Sequence, residues 1–290
     1  MGKIVLVNKP KGITSFDVCF KMRKIFNTKR IGHTGTLDPN ATGLMMVLID
    51  KATKINQFVL SLKKEYIATV KIGIKTDSED IDGKLIEERN EIMPNKELIE
   101  DVLKSFIGKS KQIPPMTSAI KVNGKKLYEY QRNNQEVDVK PRDIEVFDIE
   151  LLDVNKDSFI FKTTVSSGTY IRTLAKNILN KMGIIGTLLD LKRTKIDNFK
   201  LEDASTIENI ENGQYQELNV YDVLSMYYPV YQVDNRNDVI NGKSLKLNLD
   251  YEQILCVDNQ EVLAIYYKDG ELYRCKRGLL WFKYMSLQKT

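Results

Sequence analysis

Histidine is nearly missing from this 290-residue chain: His33 is the single one, and the cysteines number three, Cys19, Cys256 and Cys275. One imidazole and thiols without a C-x-x-C pair cannot assemble the usual zinc-ligand sets, so no metal is expected. An odd, scattered set of thiols also argues against a disulfide framework and for a reducing compartment, the cytoplasm. Long apolar runs are missing too. The longest, LMMVLI at 44–49, is far too short to cross a bilayer, so no membrane partner is expected. The N-terminal MGKIVLVNKPKG has no signal-peptide pattern, and Leu6 breaks the myristoylation motif. G-x-x-x-x-G-K-[ST] is absent, which argues against a P-loop nucleotidase, and nothing calls for a bound cofactor. Neither sign of charge dominates. The 44 Lys and Arg against 39 Asp and Glu leave +5, which permits a polyanionic partner without requiring one.

What is present suffices for a large core: 42% of residues are hydrophobic and 29% charged. KIVLVNK (3–9) reads as a strand ending at Pro10-Lys11-Gly12, and Thr14 with Asp17 forms a capping box for a helix to about Phe26. GHTGTLDPNATG (32–43), with three glycines and a proline, is a shaped loop, and LMMVLID is the strand after it. KATKINQFVLSL places Ile55, Phe58, Val59 and Leu62 on one helical face. EYIATVKIGIK alternates, with Tyr66, Ala68, Val70, Ile72 and Ile74 on one side of a strand. KELIEDVLKSFIG is a helix with Leu98, Val102, Leu103 and Phe106 on its apolar stripe. The stretch around 112–140 mixes proline pairs, an Asn-Gly turn, lysines and tyrosines, as an exposed excursion would. Strands return in PRDIEVFDIELLDV and SFIFKTTVSS. GTYIRTLAKNILNKMG is a helix with Gly183 as its cap, and TLLDLKRTKI is a strand. After about residue 228, short strand-like runs alternate with Asn-Gly, Asp-Asn and Asp-Gly turns. The pattern gives an α+β fold: a mixed, largely antiparallel sheet flanked by helices over 1–228, and a small β-rich unit over 229–290.

Few residues stand out chemically. Asp38 lies between a Gly/Thr loop and a proline, as a turn residue or a functional carboxylate would. His33 shares that loop, and Tyr66 opens its strand, either as core aromatic or with its hydroxyl at a cavity mouth. Arg172 falls in the first turn of its helix, where the macrodipole disfavours a cation, and beside the apolar stripe; it needs a carboxylate partner.

Six stretches, taken in order, resemble one family: KPKGITSFD, GHTGTLDPNATGL, KEYIATVKIGIKTDSEDIDG, IPPMTSAIKVNGKKLYEY, SGTYIRTLA and LKRTKI. Together they are similar to the bacterial tRNA pseudouridine-55 synthases, through about residue 200 and more loosely beyond. The resemblance implies isomerisation of uridine to pseudouridine in the T-arm loop of tRNA, without a cofactor, on a flipped-out nucleotide. It implies that Asp38 is the nucleophile, that Arg172 pairs with it in a bidentate grip, and that Tyr66 is catalytic too, packing on the target base and a candidate base for a sugar or base proton. Tyr170 and Leu191 match positions that contact the flipped uridine, His33 one that fills the space it leaves, and Lys9 the family's Lys-Pro motif. The excursion, with Lys121, Lys125, Lys126 and Arg132, resembles an RNA-gripping thumb, and 229–290 a PUA-type RNA-binding domain. Two departures are Met116-Thr117, where an aromatic is usual before Ser118-Ala119, and Lys192, where arginine is frequent. A monomer is expected. The rival reading is a non-catalytic RNA-binding or tRNA-folding protein on the same scaffold. Arg172→Lys is expected to cost activity with little loss of stability.

Overall fold

The computed structural model describes residues 2–133 and 135–280. Strand β1, Lys3–Lys9, is buried on both sides from Ile4 to Val7, as a continuous apolar run predicts. Helix α1, Ser15–Ile25, starts at Thr14 with the expected capping box: Thr14 accepts from the Asp17 amide and Asp17 from the Thr14 amide. The short β2, Ile31–His33, leads into the glycine-rich loop, and β3, Thr42–Ile49, follows it with every residue from Gly43 to Ile49 buried.

The next segments depart in part from the periodicity. Asp50–Ile55 is a 3-10 helix and only Asn56–Val59 (α2) is α-helical, although Ile55, Phe58, Val59 and Leu62 all turn inward. Strand β4, Lys64–Ile72, alternates as predicted but stops before Ile74. Gly73 at φ +86° ends it, and Ile74–Thr76 (β5) pairs instead with Leu85–Glu88 (β6). In α3, Lys96–Lys104, Leu98 is exposed and Ile99 takes its place in the core. Strand β7, Gly108–Gln112, belongs to the large sheet, and the excursion after it forms a hairpin of β8, Lys121–Val122, and β9, Lys125–Lys126. Asn123 and Gly124, both at positive φ, make its turn, and α4, Leu127–Arg132, follows. The long pair β10, Arg142–Val154, and β11, Ser158–Val165, leads to α5, Ile171–Met182, capped by Gly183 at φ +73°. Then come β12, Gly186–Ile196, β13, Phe199–Lys200, and β14, Glu217–Asn219.

These strands make a sheet in the order β14-β1-β3-β12-β4-β11-β10-β7, with β2 on β3 and β13 on β12. Every pairing is antiparallel except one. β3 and β12 run parallel and meet at only two positions, Thr42 with Lys192 and Gly43 with Arg193. This short seam joins two antiparallel halves. Alternation sends Val5, Val7, Met45 and Val47 to one face, under Val18 and Met22 of α1 and in the same cluster as Leu174 and Ile178 of α5. Ile4, Leu6, Leu44, Met46 and Leu48 go to the other face.

Beyond Tyr228 a second sheet forms from β15, Val230–Gln232, β16, Leu245–Lys246, β17, Gln253–Asp258, β18, Glu261–Asp269, and β19, Leu272–Gly278. Its order is β15-β17-β18-β19-β16. Leu255, Val257, Val262 and Ile265 pack into the cluster on the second face of the large sheet. The last ten residues of the expected 229–290 unit lie outside the described ones.

Candidate active site

The two residues before Gly43 and the four before Lys192 explain where a cleft can form. At the seam β3 and β12 touch briefly, and the first half of β12 keeps β4 on one edge only. On the other edge the segment after β5 closes in: Ile81 donates to the Leu188 carbonyl at 2.9 Å, and Leu188 donates to that of Glu79 at 3.2 Å. The loop from Thr34 to Ala41 fills the remaining side, and its shape is enforced from below. Lys9, fully buried, donates to three carbonyls: Pro10 at 2.9 Å, Pro39 at 3.0 Å and Ala41 at 2.7 Å. Burial pulls its pKa down to about 8, against the opposing pull of Asp38. Ser15 of α1 both accepts from the Leu37 amide and donates to its carbonyl. Arg193, 1% exposed, donates to the carbonyls of Gly35 and Leu44 at 3.1 and 2.6 Å. Gly43, at φ +103°, lies so close to Arg193 that a Cβ would fall on the Arg193 carbonyl oxygen.

Above this support, Arg172 of α5 donates through Nε to Asp38 Oδ2 at 2.9 Å, and Asp80 Oδ2 is 3.6 Å from the same nitrogen. Its Nη1 donates to the Ser78 carbonyl at 3.0 Å and to the Thr117 hydroxyl, and its Nη2 to the Thr117 carbonyl at 3.2 Å. The guanidinium side chain is 4% exposed, whereas 40% of the Asp38 side chain opens onto the cleft. Enough protein still surrounds the carboxylate that burial is the largest influence on it and raises its pKa. Arg172 opposes that rise, Asp80 adds to it, and Lys9 lowers it slightly. The start of α5 is held by Gln112, whose side chain accepts from the Tyr170 amide at 2.8 Å and donates to its carbonyl at 3.0 Å. Asp38, Asn40, Ala41, Asp80, Ile81, Arg172 and Leu188–Leu191 enclose a cavity of about 20 Å³, room for little more than one water.

A partly exposed carboxylate, held by one guanidinium nitrogen over a narrow cavity, is arranged to attack or to stabilise an electron-poor carbon. The model of the TruB family pseudouridylate synthase N-terminal domain matches residues 23–171. The tRNA pseudouridine synthase B of Alkaliphilus oremlandii is 40% identical over 277 residues, covering 93% of this chain and 91% of that one. This chain belongs to the TruB family of pseudouridylate synthases. A second TruB-family relative, the tRNA pseudouridine synthase B of Bacillus cytotoxicus, is 42% identical over 285 residues and covers 92% of each chain. Among solved structures, a Cbf5-Nop10-Gar1 complex aligns with TM-score 0.70 at 20% identity over 96% of this chain and 85% of that one, a likeness of fold.

The structure brings Asp38, Arg172 and Leu191 of this TruB-family chain to one cavity and sets Lys9 beneath it. It corrects the grip: Arg172 meets Asp38 through a single nitrogen, because Ser78 and Thr117 occupy the other side of the guanidinium. Tyr66 does not line the cavity. It is 8% exposed and packs in the core with Leu37, Ala41 and Leu191, at a register position opposite Arg193. His33 sits at the far end of the loop, half-buried, its Nδ1 accepting from the Gly35 amide at 3.3 Å. Burial, and after it Arg193, lowers the imidazole pKa. Tyr170 is half-buried at the N-cap of α5, outside the cavity lining. Sequence reasoning passed over Ser78, Asp80, Gln112 and Thr117. The acidic stretch TDSEDIDG drew no chemical reading of its own, although a run of acids is a signal for an ion pair with an arginine in the first turn of a helix.

Proposed function

We propose that this TruB-family enzyme isomerises uridine to pseudouridine at position 55 in the T-arm loop of tRNA, with Asp38 as nucleophile. The supporting observation is the Asp38–Arg172 pair, 2.9 Å apart, at the one place where the halves of the large sheet splay. The relatives named as tRNA pseudouridine synthase B supply the substrate class. In the reaction the N1–C1′ bond of uridine breaks and its electron pair stays on N1, the base turns, C5 bonds to C1′, the C5 proton departs and N1 takes up a proton, so that no net proton is gained or lost. Asp38 either attacks C1′ or assists departure of the base, and Arg172 keeps its carboxylate oriented. Leu191 and Tyr170 bracket the uracil, His33 fills its place in the RNA loop, and the core-packed Tyr66 ring comes to lie beneath the base only once the segments over the cavity part. A cavity of about 20 Å³ does not hold a pyrimidine, so the segments over it part as the nucleotide enters.

The excursion grips the RNA. Lys126 and Arg132 lie 5.3 and 5.4 Å from the Tyr128 ring centroid, and Lys125 lies 5.9 Å from that of Tyr130. Such cation-and-aromatic pairs suit phosphates and unstacked bases. The unit from 229 onward is a PUA-like RNA-binding domain, and one chain acts alone in the cytoplasm. Among the described residues no helix is long and apolar enough to cross a membrane. Incubation of Asp38→Asn with unmodified tRNA tests the assignment. The variant binds tRNA as the parent does and forms no pseudouridine; parent-like product would refute Asp38 as nucleophile.

A further inference from the structure

We infer that Thr117 is a positioning residue for the isomerisation, coupling the RNA-gripping excursion to the Asp38–Arg172 pair. The inference rests on the reading of that pair as catalytic. It starts from the division of the Arg172 donors. Of the guanidinium hydrogen bonds, the Nε one reaches Asp38 and an Nη1 one reaches the Ser78 carbonyl; the other two both end on Thr117, at its hydroxyl and at its carbonyl. Half of the contacts that orient the cation therefore come from the excursion, not from the sheet or helix that carries the site.

The backbone end of Arg172 is fixed. It lies in the first turn of α5, and Gln112 clamps the preceding residue from both sides. What remains adjustable is the plane of the guanidinium. Thr117 sets that plane by engaging Nη1 and Nη2 together, which leaves Nε to face the carboxylates. Two carboxylates compete for it, Asp38 at 2.9 Å and Asp80 at 3.6 Å. When the hydroxyl is removed, Nη1 keeps only the Ser78 carbonyl, on the same segment as Asp80, and the cation drifts toward Asp80.

Thr117 is in turn tied to the body of the excursion. The next residue, Ser118, accepts from the Tyr128 amide at 3.2 Å, and Ile120 from that of Leu127 at 2.8 Å, both in the first turn of α4. Lys125, Lys126 and Arg132, the RNA-facing cations of the proposed grip, lie on β9 and α4. A shift of that hairpin and helix is carried through two hydrogen bonds to the Thr117 side of the guanidinium. Engagement of RNA and orientation of Asp38 are thereby linked.

Thr117→Val keeps the β-branched shape and the main-chain carbonyl and deletes the hydroxyl; Thr117→Ser keeps the hydroxyl. Losing one hydrogen bond to a charged group slows single-turnover pseudouridine formation on unmodified tRNA by about tenfold to a hundredfold in Thr117→Val. Affinity for tRNA stays at the parent value, the melting temperature falls only by the few degrees that one lost hydrogen bond predicts, and the acid limb of the rate profile moves to higher pH. Thr117→Ser restores both rate and limb. A parent-like rate and limb in the valine variant overturn the inference, as does a serine variant no better than valine. So does a slow rate explained entirely by weaker tRNA binding or by unfolding. A ¹³C carboxyl titration of Asp38 in the free protein gives a readout that needs no turnover. The Asp38 pKa rises in Thr117→Val and not in Thr117→Ser, whereas an inactive parent protein would count against the proposed function and not against this link.

Discussion

Replacing Arg172 by lysine removes a guanidinium that makes four hydrogen bonds in a nearly closed site. A lysine ammonium is a point donor on a shorter reach, and it keeps at most about two of the four partners. Each lost bond to a charged group is worth about 1.5–3 kcal/mol, about 3–6 kcal/mol for two, and water reaching the freed partners leaves a destabilisation of roughly 2–4 kcal/mol. The sequence alone suggested that stability would hardly change; a side chain 4% exposed, joining α5, the Ser78 segment and the excursion, makes that untenable. Activity falls further than stability, because Asp38 loses orientation as well as its counter-charge. A deficit of about 3–4 kcal/mol at the transition state corresponds to roughly a hundredfold to a thousandfold in rate. Single-turnover release of tritium from C5 of the target uridine, run well below the melting temperature, measures the rate, and a thermal melt measures stability. A variant within threefold of the parent rate, or one whose loss tracks its unfolded fraction, would refute the assignment.

Two more outcomes follow from the same geometry. Burial and Asp80 hold the Asp38 pKa above the ordinary carboxylate value, and the proposed nucleophile is the ionised carboxylate. Activity is therefore lost as pH falls through that raised pKa, and Asp80→Asn moves the acid limb to lower pH; a limb that stays or moves upward in the kcat/KM profile contradicts it. Gly43→Ala meets both the strain of φ +103° and the Arg193 carbonyl, whereas Gly12→Ala, at φ +86°, meets strain with nothing within 4 Å of its Cβ. The first costs at least about 2 kcal/mol more than the second, several degrees of melting temperature; equal melts would show that the seam tolerates a methyl group.

Much of the fold is legible locally. The Thr14–Asp17 box, the alternation of β4 and the Gly183 cap each need only a few neighbouring residues, and each forms as the spacing dictates. Arg172 is legible for a different reason: a cation at the wrong end of a helix is a local inconsistency that only a distant anion resolves. Local pattern fails where a competing device intervenes. Gly73 breaks the strand before Ile74, and the stripe of α3 turns on Ile99 because contact with the sheet, not helical spacing alone, selects the buried face. Asp80 and Thr117 were out of reach. Their role exists only once segments 37 residues apart in sequence converge on one guanidinium; the acidic run around Asp80 hints at a cationic partner, but nothing around Thr117 foretells that meeting.

The path of the chain through the large sheet has a consequence for protein engineering. The half made of β4, β7, β10, β11 and β12 is one uninterrupted length, entering at Lys64 and leaving at Ile196. Those two residues sit opposite each other in the ladder, and the Asp197 amide donates to the Lys63 carbonyl at 2.9 Å. The length closes on itself like a cassette spliced into a host chain that supplies β1, β2, β3 and β14. Asp38 belongs to the host, Arg172 and Leu191 to the cassette. Neither parcel alone holds the proposed site, and a transplant of either into another scaffold has to carry the splice point with it.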